Sequence, residues 1–157
     1  MATLVTPIQQ AVTGNEFLGD QADPLQALAM FYRAFHQRDL ALMEQNWDST
    51  DEAALDNPLG GIKRGWREIR TVYERIFSSD ARVEVEFYDY TMHGSGDIFF
   101  VVGRERGTLV SPKGRLDLSI RTSRIFRRAA DGRWRQLHHH GSFDDPSFLS
   151  KYQEMIT

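Results

Sequence analysis

Residues 115–142 read RLDLSIRTSRIFRRAADGRWRQLHHHGS, and this stretch decides the fold class. Apolar and polar residues alternate from Leu116 to Ile120, and the run continues to Phe126, which predicts one long strand with one buried face. Asp131-Gly132 is a turn signal typical of a β-hairpin. A final strand is predicted from Trp134 to Ser142, antiparallel to the first.

Upstream of these strands the pattern is helical. Asp23-Pro24 is a strong helix start, because Asp caps the free backbone N–H groups and Pro suits the first turn. Apolar residues then recur every three or four positions from Leu25 to Phe35. A second short helix is predicted from Asp39, and a third from Trp66 to Phe77.

Further strands lie between and after the helices. Ala53 to Leu55 is a candidate short strand, and Arg82 to Phe87 alternates as a half-buried strand does. Ile98 to Val102 is all apolar, which predicts a central strand covered on both faces. Asp145-Pro146 starts a short C-terminal helix. Helices followed by antiparallel strands indicate an α+β fold, with a pocket between the helices and a curved sheet.

Composition limits the function classes. The chain has 157 residues, no cysteine and a net charge of −3, so nucleic acid is an unfavourable partner. Its first residues lack the pattern of a signal peptide, and no apolar run reaches the ~18 residues of a membrane span. We therefore expect a cytoplasmic protein without a membrane partner. Residues 1–22 carry little pattern and are predicted to be a loose arm, with a single domain at 23–157.

Several motifs resemble those of the SnoaL-like and nuclear-transport-factor-2-like families. Residues 123–128, 131–134 and 138–142 are similar to the strand, hairpin and His-rich ending of the association domain of calcium/calmodulin-dependent protein kinase. Residues 57–61 resemble the family's turn before its third helix. The resemblance spans about residues 23–145. It implies a cone-shaped, cystatin-like α+β barrel and a homodimer formed through the open sheet face, but a shared fold does not choose a function.

Arg124 is the most informative candidate for ligand binding. Strand alternation places it on the same face as Leu118, Ile120 and Phe126, where an arginine is costly without a polar partner. Its planar donor fork could anchor an anionic or carbonyl-bearing ligand, and the kinase association domain has an arginine at the matching position. The alternatives are an ion pair with an internal Asp or Glu, or a bulge that turns the side chain to solvent.

His138 and His140 share one face of the last strand, and His139 has the other. No acidic residue stands at a spacing that completes a metal site, so we predict no metal. Hydrogen bonding by His138, or proton transfer by His140, is the functional interpretation. The alternative is that one histidine packs behind Trp134 and the other lines the dimer face.

Asp56 and Tyr32 are the remaining catalytic candidates. Ketosteroid isomerases of the superfamily carry their basic Asp directly before the Pro of a similar turn. Here Asn57 precedes Pro58 and Asp56 lies one residue earlier, so an isomerase mechanism requires a bulge that turns Asp56 inward. Tyr32, on the first helix, could polarise a carbonyl. The alternative, which we favour, is an ordinary core tyrosine.

Three aromatic residues are candidates for apolar contact with a ligand: Trp47, Trp66 and Phe100. Aromatic residues at helix and strand spacing usually belong to the core, and this is the favoured interpretation of all three. The sequence thus predicts a homodimeric pocket protein for a small, partly apolar molecule with a polar or anionic end. The alternatives are an isomerase or dehydratase acting next to a carbonyl without a cofactor, and an oligomeric assembly module.

Overall fold

The first two helices begin where the sequence predicts. The third begins at Gly65 rather than Trp66, and the C-terminal helix begins at Phe148, two residues after Pro146. The computed structural model describes residues 5–20 and 22–157. The Asp23 side chain accepts from the backbone N–H of Leu25 at 2.9 Å, and Asp39 caps the second helix in the same way. The helices are α1 (Pro24–Gln37), α2 (Leu40–Asn46), α3 (Gly65–Ser78) and α4 (Phe148–Ile156).

Six strands form one sheet, and its order is β2-β1-β6-β5-β4-β3. The strands are β1 (Ala54–Asp56), β2 (Lys63–Arg64), β3 (Arg82–Ser95), β4 (Ile98–Ser111), β5 (Gly114–Arg128) and β6 (Trp134–Phe143). The α+β class and the β5–β6 hairpin are confirmed. The exception to the predicted antiparallel pairing is β1, which runs parallel to β6.

β3 and β4 are much longer than predicted. β3 continues past Phe87 through a bulge at Asp89, which has a φ of +49°. β4 continues past Val102 through glycines and charged residues that interrupt the apolar pattern. Gly107 is required there, since a Cβ at this position would lie 1.8 Å from the carbonyl oxygen of Glu84.

The two faces of the sheet have different environments. The inner face packs against α1 and α3, and it carries buried residues such as Phe99, Val101 and Phe126. On the outer face, Phe100 and Val102 are 40% and 48% exposed. The prediction that residues 98–102 are covered on both faces is therefore wrong for the single chain.

Part of the N-terminal segment pairs with the edge of the sheet. Ile8 and Val12 form isolated bridges with Tyr90 and Phe87, and Val12 is buried in the core. This part of the segment is held on β3 rather than loose. Residues 1–4 and 21 lie outside the described residues. Among the described helices, none is both long and apolar enough to cross a membrane.

Candidate functional site

A small cavity lies between the helices and the inner face of the sheet. Its volume is about 80 Å³, and apolar side chains form most of its wall. Tyr152 of α4 and the turn at Pro58 contribute to the wall. The polar side chains that line it are Asn57, Glu105, Arg124, His139, Tyr73 and Tyr152.

Arg124 is held by protein groups at the base of this cavity. Its side chain is 1% exposed, and Nη2 donates to Glu105 Oε1 at 3.1 Å while Nη1 donates to Gln136 Oε1 at 2.6 Å. The guanidinium carbon lies 3.7 Å from the centroid of the Phe31 ring, in cation–π geometry. The internal ion pair, one of the alternatives for Arg124, is thus what the structure contains.

Tyr32 belongs to the same buried network. Its hydroxyl donates to Glu105 Oε1 at 3.0 Å, so Glu105 accepts from both Tyr32 and Arg124. Burial raises the pKa of Tyr32 well above its usual value, and Glu105 adds to the rise. Burial alone would lower the pKa of Arg124, but Tyr32 and Glu105 raise it above the ordinary value. Tyr32 is therefore a protonated donor to Glu105, and Arg124 carries its charge.

His139 lies directly across the β5–β6 ladder from Arg124 and on the same face. It is 8% exposed, and among the residues that the structure describes no group hydrogen-bonds to either ring nitrogen. Burial, then the positive charge of Arg124, lowers the pKa of His139 well below its usual value. A neutral imidazole has one donor and one acceptor, so His139, which lines the cavity, offers one of each that no described residue uses.

Gly141 keeps space open beside His139. A Cβ at Gly141 would lie 3.2 Å from His139 Nε2 and 3.2 Å from two carbons of Pro58. This is tighter than an ordinary van der Waals contact. Any side chain at position 141 would therefore crowd the imidazole nitrogen and the turn that borders the cavity.

The predicted partners His138, His140 and Asp56 lie on the opposite face of the sheet. His140 Nδ1 and Asp56 Oδ2 are 2.5 Å apart, and His138 Nε2 lies 3.6 Å from Asp56 Oδ1. His138 Nδ1 also contacts the carbonyl oxygen of Ala54 at 3.0 Å. The prediction that these three residues line the cavity is wrong, because the ladder register aligns Arg124 with His139.

The catalytic set of Asp56, His140 and Tyr32 is not brought together. Tyr32 is inside the domain and already bonded to Glu105, whereas Asp56 and His140 are on the outer face. Asn57, the residue before the Pro, is the one that lines the cavity. Its side-chain oxygen accepts from the N–H of Leu59, as a turn-capping residue does.

The three aromatic candidates also lie elsewhere. Trp47 is fully buried in the core beside Tyr73, with ring centroids 6.3 Å apart. Trp66, in α3, is half-buried at the edge of the core, and its indole N–H donates to Glu44 at 2.9 Å. Phe100 stacks on His93 on the outer face, with centroids 4.7 Å apart. The aromatic wall of the cavity comes instead from residues such as Phe31, Phe35 and Phe143.

Sequence reasoning missed Glu105, His139 and Gly141. Glu105 is flanked by Arg104 and Arg106 and was not among the candidates, yet it continues the buried series of Phe99 and Val101 at every second position. That alternation was the signal that could have found it. Within the described residues, no group of three or more His, Asp or Glu is placed to hold a metal ion.

Comparisons with known proteins agree with this fold. The sequence model of the SnoaL-like domain matches residues 25–146. A calcium/calmodulin-dependent protein kinase type II association domain from Thiobacillus denitrificans is 26% identical, with a TM-score of 0.64 over 78% of this chain and 95% of that chain. Comparison with curated protein sequences finds no match.

Two further solved structures share the fold at lower identity. A dehydratase of the nuclear-transport-factor-2-like family from Streptomyces avermitilis is 19% identical, with a TM-score of 0.68 over 74% of this chain and 90% of that chain. A ketosteroid isomerase-like protein from Erwinia carotovora is 20% identical, with a TM-score of 0.66 over 83% of this chain and 100% of that chain.

Proposed function

This chain belongs to the SnoaL-like family, and we propose that it binds a small, partly apolar molecule in the cavity between α1, α3 and the sheet. The observation that carries the proposal is His139, whose two buried ring nitrogens lack a partner among the described residues. Leaving such groups without hydrogen bonds costs about 1–3 kcal/mol. A ligand with a polar end would satisfy them, while its body contacts the apolar wall.

The cavity volume limits the size of this ligand. A cavity of about 150 Å³ accepts benzene, and the cavity here has about half that volume, about 80 Å³. The ligand is therefore smaller than benzene unless the wall moves. Tyr152 forms part of this wall and lies on α4, a helix with no fully buried residue, so a displacement of α4 would enlarge the cavity.

A substitution at Gly141 tests the location of the site. We expect small neutral fragments to bind the wild-type protein, as seen in chemical-shift changes by NMR, and Gly141→Ala to weaken this binding about tenfold or more by crowding His139 Nε2. Ser142→Ala is the control, because Ser142 is the next residue on β6 and faces the other way. Equal binding to both variants would remove the cavity as the site.

We further propose a homodimer formed through the outer face of the sheet. The support is an apolar row across this face, in which Phe100 lies opposite Ile125 and next to exposed Val102. His93 stacks on Phe100 and extends the row to β3. Burying such a patch is favourable by roughly 25 cal/mol per Å² of apolar surface.

Light scattering at several concentrations tests the dimer. We expect the wild-type mass to be twice that of the chain, and Phe100→Glu to give a monomer. Ile62→Glu is the matched control, since Ile62 is 52% exposed but lies in the loop before β2. A wild-type monomer would refute the dimer, and with it the assembly-module alternative.

The isomerase alternative has less support. It requires a base close to the ligand, and the predicted bases Asp56 and His140 are on the outer face, while the Tyr32 hydroxyl is already donated to Glu105. The neighbouring folds named as a dehydratase and as isomerase-like are at most 20% identical and carry only the fold. Binding is therefore the function that the geometry supports best.

A further inference from the structure

We infer that the cavity selects an uncharged molecule whose polar end both donates and accepts hydrogen bonds, such as a primary amide or an alcohol, over a carboxylate. The inference rests on the proposed binding function and specifies its ligand class. It differs from the sequence-based expectation, in which Arg124 anchors an anionic end. The arrangement of Arg124, Glu105 and His139 carries it.

The charge of Arg124 is already balanced inside the protein. Glu105 accepts from it at 3.1 Å, and both side chains are less than one-tenth exposed. A carboxylate ligand would add a second negative charge beside Glu105, in a region where charges are poorly screened by water. It would also lose its own hydration without a free cation in return. A neutral ligand avoids both costs.

The buried groups near the cavity that lack a protein partner include both hydrogen-bond donors and an acceptor. Arg124 Nε–H has no partner among the described residues and is a donor only. His139, kept neutral by burial and by Arg124, has one donor and one acceptor. A ligand oxygen can accept from Arg124 or His139, and a ligand N–H or O–H can donate to the remaining nitrogen of His139. A ketone leaves that acceptor unsatisfied.

Three probes of nearly equal size separate the effect of ligand charge from the effect of a hydrogen-bond donor on the ligand. Propionamide is neutral and both donates and accepts, propionate is its anionic counterpart, and butanone only accepts. NMR titration slightly above neutral pH should show propionamide binding about tenfold tighter than propionate, equivalent to about 1.4 kcal/mol, and several-fold tighter than butanone. Imidazole signals of His139 should shift on binding.

The outcomes distinguish this inference from the proposed function. Propionate binding as tightly as propionamide, with shifts at His139, would overturn the selectivity and leave the cavity as a binding site. Butanone binding as well as propionamide would overturn the need for a donor. No His139 shift with any probe would refute the binding function itself, and the inference with it.

Glu105→Gln gives a second and independent test. It removes the negative charge that balances Arg124 but keeps the size and the hydrogen-bonding capacity of the side chain. We expect the preference to reverse, so that propionate binds more tightly than propionamide. An unchanged preference in a folded variant would overturn the inference. If the variant does not fold, the wild-type ratio of the two affinities decides alone.

Discussion

The inner and outer faces of β6 place chemically identical side chains in opposite environments. His139, on the inner face, is buried beside Arg124, and no described residue hydrogen-bonds to its ring. His140, the next residue, is exposed and contacts the carboxylate of Asp56. The first histidine is held neutral in a low-dielectric cavity, and the second keeps access to water.

This difference shows that adjacent histidines in one strand can differ completely in burial and in hydrogen-bond partners. Side-chain direction reverses at each step along a strand, so one imidazole lines the cavity while its neighbours face outward. The ion pairs differ in the same way. Arg124–Glu105 is buried, whereas Arg106–Glu86, at 2.8 Å on β4 and β3, is open to water.

The largest effect is expected at Arg124. Arg124→Ala leaves Glu105 buried without its cation and should lower the free energy of unfolding by about 3–5 kcal/mol, as measured by urea denaturation. Arg106→Ala is the control and should change stability little, because its ion pair with Glu86 is exposed. Equal effects of the two substitutions would contradict the difference between the faces.

His139→Phe should stabilise the ligand-free protein by about 1–3 kcal/mol, since it removes two buried polar groups that lack partners. The same variant should lose fragment binding. His140→Phe, one residue along the strand, should give neither effect. A destabilised His139→Phe variant that still binds fragments would show that the imidazole serves packing alone.

The stability of the wild-type protein should fall in mild acid through His139. Its pKa is depressed in the folded state, so between about pH 6.5 and the folded value the unfolded chain binds the proton first. The contribution is complete above about pH 6.5 and decreases below it, by up to about 1.4 kcal/mol per pH unit. Urea denaturation of the wild-type and His139→Phe proteins between about pH 7 and about pH 5, a range that brackets the pKa of a free histidine, measures this contribution. The difference between their free energies of unfolding should widen as the pH falls.

The smallest effect is expected at Asp56. Asp56→Asn weakens its contacts with His138 and His140 on the outer face, and should change the free energy of unfolding by less than about 1 kcal/mol. Fragment affinity should stay the same in an NMR titration. A large loss of affinity would show that Asp56 takes part in binding, as the sequence-based interpretation expected, and would contradict a site confined to the inner face.

Local signals predicted the elements of this fold well. Asp23 and Asp39 cap helices, and Asp131-Gly132 closes the β5–β6 hairpin, because each acts through neighbours in the chain. Glu105 could not be placed by composition, since Arg104 and Arg106 made its segment look exposed. Its position depends on alternation along a strand whose length was underestimated.

The site was harder to predict because it depends on register between strands. Alternation correctly separates His139 from His138 and His140, and it correctly places Arg124 on the buried face of β5. Which histidine faces Arg124 depends on the pairing of β5 with β6, and a bulge between Ile125 and Phe126 shifts that pairing. A shift of one residue exchanges the faces, and no local pattern in the sequence fixes it.

We propose that His139, rather than its two neighbours in β6, binds the ligand. The most direct measurement is NMR of the imidazole nitrogens of His138, His139 and His140 during titration with propionamide. We expect His139 to be neutral near pH 7, because its pKa is lowered, and its nitrogen signals to shift while those of His140 stay unchanged. Shifts confined to His138 and His140, with His139 unaffected, would contradict it.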